Sequence, residues 1–214
     1  MTTRLQLWNG ALVALGSERL TDTGEAVKSG RELTAVHDQV VAECLAAGSW
    51  NFAMEDVSIT GDTGLIQSRV GNRYGFSKPT DWVRTIAVSL DEYFSYPALD
   101  YYDDGDIWKA DATPIYVRYV SNDTGLGRDL AAWPANFSRF VELELAARVG
   151  YALTQSASLV EGVEVRRDKA RLKALNIDAM NSAQPGFPPP SSWTQARGGR
   201  TGRGDRGSRG SLTG

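Results

Sequence analysis

Two stretches near the N-terminus place apolar residues at helical spacing. The first set falls on one helical face, and Gly16 follows it as a natural stop: Leu5, Trp8, Leu12 and Leu15. The second set also recurs every three or four residues: Leu33, Val36, Val40, Cys44 and Ala47. Asp22 and Glu25 resemble a capping box ahead of this second set. The pattern predicts a short amphipathic helix over 5–15 and a second, longer helix.

From about Trp50 the apolar period changes from helical to alternating. Two sets show the alternation that is typical of strands: Ile86, Val88 and Leu90, and then Ile115, Val117 and Tyr119. Shorter candidate strands lie at 53–59 and 65–70, separated by the turn sequence 61–64. We therefore predict an antiparallel sheet of about four strands, a common sheet size.

Helical periodicity returns after Trp133 and Pro134. A broad apolar face follows them: Phe137, Phe140, Val141, Leu145, Val149 and Ala152. Small residues on this helix would allow close helix contact: Ala146, Ala147 and Gly150. A further helix is predicted over about 157–181, and it carries a basic run: Arg166, Arg167, Lys169, Arg171 and Lys173.

The composition changes again after residue 182. Residues 183–214 contain eight Gly, four Pro and five Arg. They have too few large apolar side chains for burial to offset the entropy lost on ordering the segment. We therefore expect an α+β fold with four parts. N-terminal helices (1–50) and C-terminal helices (133–182) form a bundle, a β-rich aromatic and acidic region (51–132) is inserted between them, and a flexible arm (183–214) follows.

Charge is distributed unevenly along the 214 residues. The net charge of −3 combines −7 over residues 1–182 with +4 over the arm. The inserted region holds 13 acidic and 7 basic residues, which makes it the first candidate for an interaction surface. No apolar run is long enough to span a bilayer, and the N-terminus lacks the pattern of a secretory signal, so we interpret the chain as cytosolic when made.

Few residues are available for catalytic or metal chemistry. The chain has one cysteine, Cys44, and one histidine, His37, which excludes an intrachain disulfide and most zinc sites. Seven residues separate the two along the predicted helix, about 10 Å, too far for a catalytic dyad. We interpret Cys44 as a small core residue and His37 as amphipathic and near the surface. No phosphate-binding glycine motif is present, and we expect no cofactor and no metal.

Acidic residues offer two weaker alternatives. Asp100, Asp103, Asp104, Asp106 and Asp111 partly match a calcium loop, but the pattern more closely fits a solvated acidic loop or a patch that docks a basic partner. The second alternative is a carboxylate pair, either Glu55 and Asp56 or two of the loop aspartates, acting as acid and base in a cell-wall hydrolase. Adjacent strand residues point to opposite faces, which argues against that pair.

Arg-Gly dipeptides in the arm suggest another function. They occur at 197–198, 203–204, 206–207 and 209–210, and such segments contact nucleic-acid phosphates without sequence preference. A nucleic-acid-binding module would add base stacking on the aromatic sheet. The inserted region is acidic, however, whereas base-stacking sheets usually surround their aromatic residues with Lys and Arg.

Four stretches together carry a resemblance to a known family. The first is residues 7–16, which look like an opening helix that ends at a glycine, and the second is the Ala-Gly-Ser-Trp-Asn-Phe-Ala sequence at 47–53. The others are the aromatic-Pro-Asp-Arg segment 74–84, and residues 116–123 followed by Trp133, Pro134, Phe137 and 143–154. In this order they resemble the tail tubular protein A or head-to-tail adaptor family of tailed bacteriophages. The likeness covers roughly residues 5–180, and the insertion at 93–108 and the Arg-Gly arm depart from it.

The resemblance implies a structural protein without an active site. Such a protein would form a ring, typically of twelve copies, in the neck of the virion, joining the portal to the tail nozzle or tube while DNA passes through its lumen without specific binding. Residues assigned to portal docking lie on the last helix and the arm: Arg166, Arg167, Arg171, Phe187, Trp193, Arg197 and Arg200. Residues assigned to the next tail component lie in the inserted region: Tyr93, Tyr96, Tyr101, Tyr102 and Trp108.

Overall fold

The fold is α+β, with four helices and six short strands in the part of the chain that the structure describes. The structure is a computed structural model, and it describes residues 2–65, 72–97 and 100–181. The helices are α1 (Arg4–Ala14), α2 (Lys28–Ala46), α3 (Ala135–Thr154) and α4 (Ala157–Asn181). All four agree with the helices predicted from the apolar spacing. The predicted arm lies outside the described residues.

The start of α2 differs from the sequence prediction. Glu25 does not cap this helix; its carboxylate accepts hydrogen bonds from the backbone N–H and the hydroxyl of Thr21, at 2.9 and 3.1 Å. The helix begins at Lys28 without a side-chain cap. The capping box belongs to α1 instead, where the Thr3 and Gln6 side chains each accept from the other residue's backbone N–H.

Among the residues that the structure describes, six antiparallel strands form two sheets rather than the predicted single sheet of about four strands. The strands are β1 (Met54–Ile59), β2 (Tyr74–Ser77), β3 (Trp82–Ser89), β4 (Tyr101–Asp104), β5 (Ile107–Ala110) and β6 (Ile115–Ser121). Sheet A has the order β1-β6-β3, and sheet B has the order β2-β5-β4. Strands β1, β3 and β6 match predicted strands, whereas β2, β4 and β5 were not predicted. Leu90 lies just beyond β3, and most of the predicted strand at 65–70 lies outside the described residues.

The helical body has one apolar core, built from α1 to α4. Trp50 lies at its centre: its ring packs 4.8 Å from the ring of Phe137, and its indole N–H donates to the Cys44 carbonyl at 2.9 Å. Gly150 supports the predicted close helix contact, since a Cβ there would lie 2.9 Å from Val160 of α4. Val120 of β6 joins the same core and so connects the body to sheet A.

A second, smaller core lies between the two sheets. Its buried members come from β2, β3, β5 and β6: Phe76, Val88, Trp108, Ala110, Ile115 and Val117. We refer to the two sheets and their connecting loops as the sheet module. No helix in the described part of the chain is long and apolar enough to cross a membrane.

Candidate interaction surfaces

Three tyrosines of the sheet module are strongly exposed, as predicted for a contact surface. Tyr93 is 79% exposed, Tyr96 69% and Tyr102 65%, and we call them the tyrosine surface. Tyr93 and Tyr96 lie in the loop after β3, whereas Tyr102 lies on β4. Tyr102 follows Tyr96 by six positions, so their Cα atoms are within about 22 Å of each other.

The assignment of Trp108 to the exposed surface is wrong. Trp108 is fully buried and donates its indole N–H to the Thr85 hydroxyl at 2.9 Å. Strand alternation explains the difference, because Trp108 faces the second core while its neighbour Lys109 pairs opposite Tyr102 on the outer face. Tyr101 is half-buried and packs against the second core, so it contributes little to a contact surface.

The loop that presents Tyr93 and Tyr96 is held by the carboxylate of Asp91. This carboxylate accepts from the Ser89 hydroxyl at 2.7 Å, from the Tyr96 N–H at 2.8 Å and from the Ser95 N–H at 3.2 Å. The hydrogen bond from Ser89 and those from the backbone lower the pKa of Asp91. The two tyrosine rings therefore project from an ordered loop, at a small entropic cost for binding.

Lys78, in the loop between β2 and β3, contacts both the β4–β5 hairpin and Trp82 of sheet A. The Lys78 Nζ lies 3.6 Å from the centroid of the Trp82 ring, donates to the Gly105 carbonyl at 2.6 Å and forms an ion pair with Asp103. Only 4% of the Lys78 side chain is exposed. Sequence reasoning missed this contact. Because Asp103 binds Lys78 and Asp104 binds Lys109, two members of the acidic cluster already have structural partners.

The carboxylates of Glu55 and Asp56, considered as an acid and base pair, also have partners. Glu55 accepts from the Tyr119 hydroxyl at 3.0 Å, while Asp56 pairs with Arg118 at 2.6 Å. The two carboxylates therefore have different cross-strand partners, as expected for adjacent strand residues. Within residues 2–65, 72–97 and 100–181, no group of three or more His, Cys, Asp or Glu residues is arranged to hold a metal ion.

Helices α2, α3 and α4 form a cleft of about 300 Å³ with charged walls, which we call the charged cleft. Cys44, Ala47 and Phe140 contribute to its lining, together with five charged residues: Glu43, Glu144, Arg167, Asp168 and Arg171. Arg148 pairs with Glu43 at one side, and Arg167 lies 3.6 Å from Glu144. Two of the three α4 arginines assigned to portal docking therefore line one cleft.

The third of these arginines, Arg166, is engaged differently. Its guanidinium donates to the carbonyls of Ala14 and Gly162, at 3.1 and 3.2 Å, and so connects α4 to the end of α1. Arg171 is exposed and forms no ion pair with any described residue. The remaining docking candidates lie outside the described residues: Phe187, Trp193, Arg197 and Arg200.

His37 is buried, contrary to the expectation that it lies near the surface. It is 6% exposed, and its Nδ1 accepts a hydrogen bond from the Trp8 indole N–H at 3.2 Å. Burial, aided by the positive charge of Arg4, lowers the pKa of His37 to about 4. Cys44 is a core residue as predicted, and burial raises the pKa of its thiol. Both residues therefore have structural roles.

No protein-family model matches this chain, and no curated protein matches it. The resemblance to the head-to-tail adaptor family therefore stays a prediction from the sequence. The described residues present two candidate interaction surfaces, the tyrosine surface on the sheet module and the charged cleft on the helical body.

Proposed function

We propose that this protein is a structural head-to-tail adaptor of a tailed bacteriophage. Copies of the chain, twelve in the simplest case, would form a ring in the virion neck between the portal and the tail nozzle or tube. The observation that carries the proposal is that one chain presents two chemically different surfaces on separate modules. The tyrosine surface is aromatic and belongs to the sheet module, whereas the charged cleft belongs to the helical body.

The placement of the family-like stretches in the fold supports this proposal. Three tryptophans from those stretches have core positions: Trp8, Trp50 and Trp133. Each indole N–H donates a hydrogen bond, Trp8 to His37, Trp50 to the Cys44 carbonyl and Trp133 to the Gly127 carbonyl. Three of the residues that carry the resemblance thus help to maintain the core of the helical body.

The chemistry of each surface suggests its partner. The charged cleft and Arg171 would bind the portal, together with the basic arm, because guanidinium groups pair well with carboxylates of a partner. The tyrosine surface would bind the next tail component, since tyrosine is enriched at protein interfaces. The net negative charge of residues 1–182 would let DNA pass through a ring without adhering.

Mass photometry of the full-length chain, alone and with purified portal ring, tests the proposal. We expect addition of many copies to each portal ring. The variant Arg171→Glu should weaken this association, whereas Arg139→Glu, on another face of the helical body, should not. Replacing the three exposed tyrosines by Ser should leave portal binding unchanged and weaken binding of the tail component.

One pattern of results would overturn the proposal. It is an absence of association with the portal under all conditions, combined with tight DNA binding that weakens steeply as salt is raised. Phosphate contacts produce such a salt dependence through the release of counterions. This result would instead support the nucleic-acid-binding alternative.

A further inference from the structure

The charged cleft combines an apolar floor with charged walls. Cys44, Ala47 and Phe140 form the floor, and Cys44 and Phe140 are also members of the buried core. The cleft volume of about 300 Å³ is at the lower end of the range for small-molecule sites. At about 30 Å³ per water molecule, this is the space of about ten waters, or of an organic molecule with about as many non-hydrogen atoms.

The carboxylates of the cleft walls already have arginine partners. Glu43 forms an ion pair with Arg148, and Glu144 and Asp168 have oxygens 3.6 and 2.9 Å from nitrogens of Arg167. A cationic ligand would therefore have to displace one of these arginines from its carboxylate. The arrangement disfavours a cation, because the displaced guanidinium would lie beside the ligand and repel it.

Arg171 supplies a positive charge that is available to a ligand. Of the charged residues that line the cleft, it alone forms no ion pair with any described residue. Burial raises the pKa of the Cys44 thiol, and the positive charge of Arg171 acts against this increase, as expected for a guanidinium close to the floor. The run 166–173 of α4 holds five basic residues and one Asp, a net charge of +4, and its field adds to the attraction for an anion.

We propose that the charged cleft binds an aliphatic carboxylate of about six carbons, a ligand that matches both its volume and its chemistry. The guanidinium of Arg171 holds the carboxylate through two parallel hydrogen bonds, and the aliphatic group covers Cys44, Ala47 and Phe140. A short fatty acid has this chemistry, and so has the C-terminus of a polypeptide that ends in leucine. The binding itself depends on the helical body alone, and only its use for portal docking rests on the proposed function.

Titration of the full-length, isotope-labelled protein with hexanoate, followed by NMR, tests this site. The reporter signals are the backbone amides of Ala47 and Phe140 and the side-chain Nε–H of Arg171. Arg171→Gln removes the positive charge, and because Arg171 is exposed, the change does not disturb the apolar core. The matched control is Arg139→Gln, which removes an exposed arginine that does not line the cleft.

We expect the reporter signals to shift saturably with hexanoate, with a Kd of about 1 mM, an affinity within reach of so small a ligand. Arg171→Gln should raise this Kd about tenfold, because the carboxylate loses its charged partner, whereas Arg139→Gln should leave it unchanged. Hexanamide, which lacks the charge, and acetate, which lacks the aliphatic group, should each bind about tenfold more weakly than hexanoate.

A tripeptide that ends in leucine, compared with its C-terminal amide, distinguishes the two sources of the ligand. Tighter binding of the tripeptide than of hexanoate, lost in the amide, would support a polypeptide C-terminus, and the reverse order would support a free acid. Three results would overturn the proposal: no saturable shift of the reporter signals, equal affinity of hexanoate for the native chain and Arg171→Gln, or acetate binding as tightly as hexanoate. None of these measurements includes the portal, so such a failure leaves the adaptor function to the mass photometry described above.

Discussion

Replacement of Lys78 by Met should destabilise the sheet module, and the contacts of Lys78 indicate by how much. Methionine keeps most of the apolar length of the side chain and removes the ammonium group. The change deletes the ion pair with Asp103, the hydrogen bond to the Gly105 carbonyl and the contacts with the rings of Trp82 and Trp108, 3.6 and 5.5 Å away. It therefore removes one polar link between the β2–β3 loop and the β4–β5 hairpin, whereas the hydrogen bonds that join Thr85 of sheet A to Asp103 and Trp108 stay.

The expected loss in the free energy of unfolding is smaller than the loss measured when one partner of a fully buried ion pair is removed. Removing one partner of a buried ion pair costs about 3–5 kcal/mol, because the other charge stays buried and uncompensated. Asp103 is 36% exposed at its side chain and keeps a hydrogen bond from the Thr85 hydroxyl at 2.8 Å, so water can partly replace Lys78. We therefore expect a loss of about 2–3 kcal/mol, which corresponds to a fall in Tm of about 5–10 °C for a domain of this size.

Lys109→Met is the matched control. Lys109 pairs with Asp104 on the same hairpin, but both side chains are exposed, at 29% and 62%, and exposed ion pairs contribute little to stability. Urea unfolding followed by tryptophan fluorescence and circular dichroism gives the free energies of unfolding. Equal stability of the two variants would refute the reasoning that burial of Lys78 makes its contacts strong.

Three further changes test other parts of the structure. The pKa of His37 is lowered from 6.5 to about 4 in the folded protein, so between these pH values the unfolded chain binds one more proton than the folded chain. The free energy of unfolding should therefore fall as pH decreases from about 6.5 to 4. In thermal unfolding measured over this pH range, His37→Gln should make this dependence on pH less steep. Asp91→Ala should speed amide hydrogen exchange in residues 90–97 without changing exchange in the helices. In chemical denaturation, Gly150→Ala should lower the free energy of unfolding by about 1–2 kcal/mol through overpacking against Val160. Gly162→Ala should raise it by about 0.5–1 kcal/mol, because the new Cβ meets no neighbouring atom within 4 Å and alanine favours the helix over glycine.

The helices could be predicted from the sequence because their apolar spacing is long and regular. The bounds of α4 agree with the predicted 157–181, and α1 differs from its predicted range by one residue at each end. The cap of α2 could not be predicted in the same way, because Asp22 and Glu25 also fit a loop, and Glu25 binds Thr21 there instead. Local patterns of this kind do not show which of two nearby partners a carboxylate selects.

The sheet module was harder to predict because its strands are short. β4 and β5 have four residues each, and the acidic composition of β4 indicates a solvated loop rather than a strand. The prediction that the inserted aromatic residues form a contact surface stays a prediction for Tyr93, Tyr96 and Tyr102, which are exposed as such a surface requires. It is wrong for Trp108, since the face of a strand residue depends on a register that only the pairing of β4 with β5 defines.

The insertion of the sheet module between α2 and α3 affects how the chain can fold during its synthesis. Helices α1 and α2 bury their apolar faces against α3, which begins only at Ala135, after the whole sheet module. The helical core therefore requires closure of the loop formed by residues 47–134, a long-range step of the kind that slows folding. On the ribosome, the apolar side chains of α1 and α2, among them Leu7, Leu12 and Leu33, would stay exposed to solvent until α3 has been synthesised. Chains released before that point would be prone to aggregation.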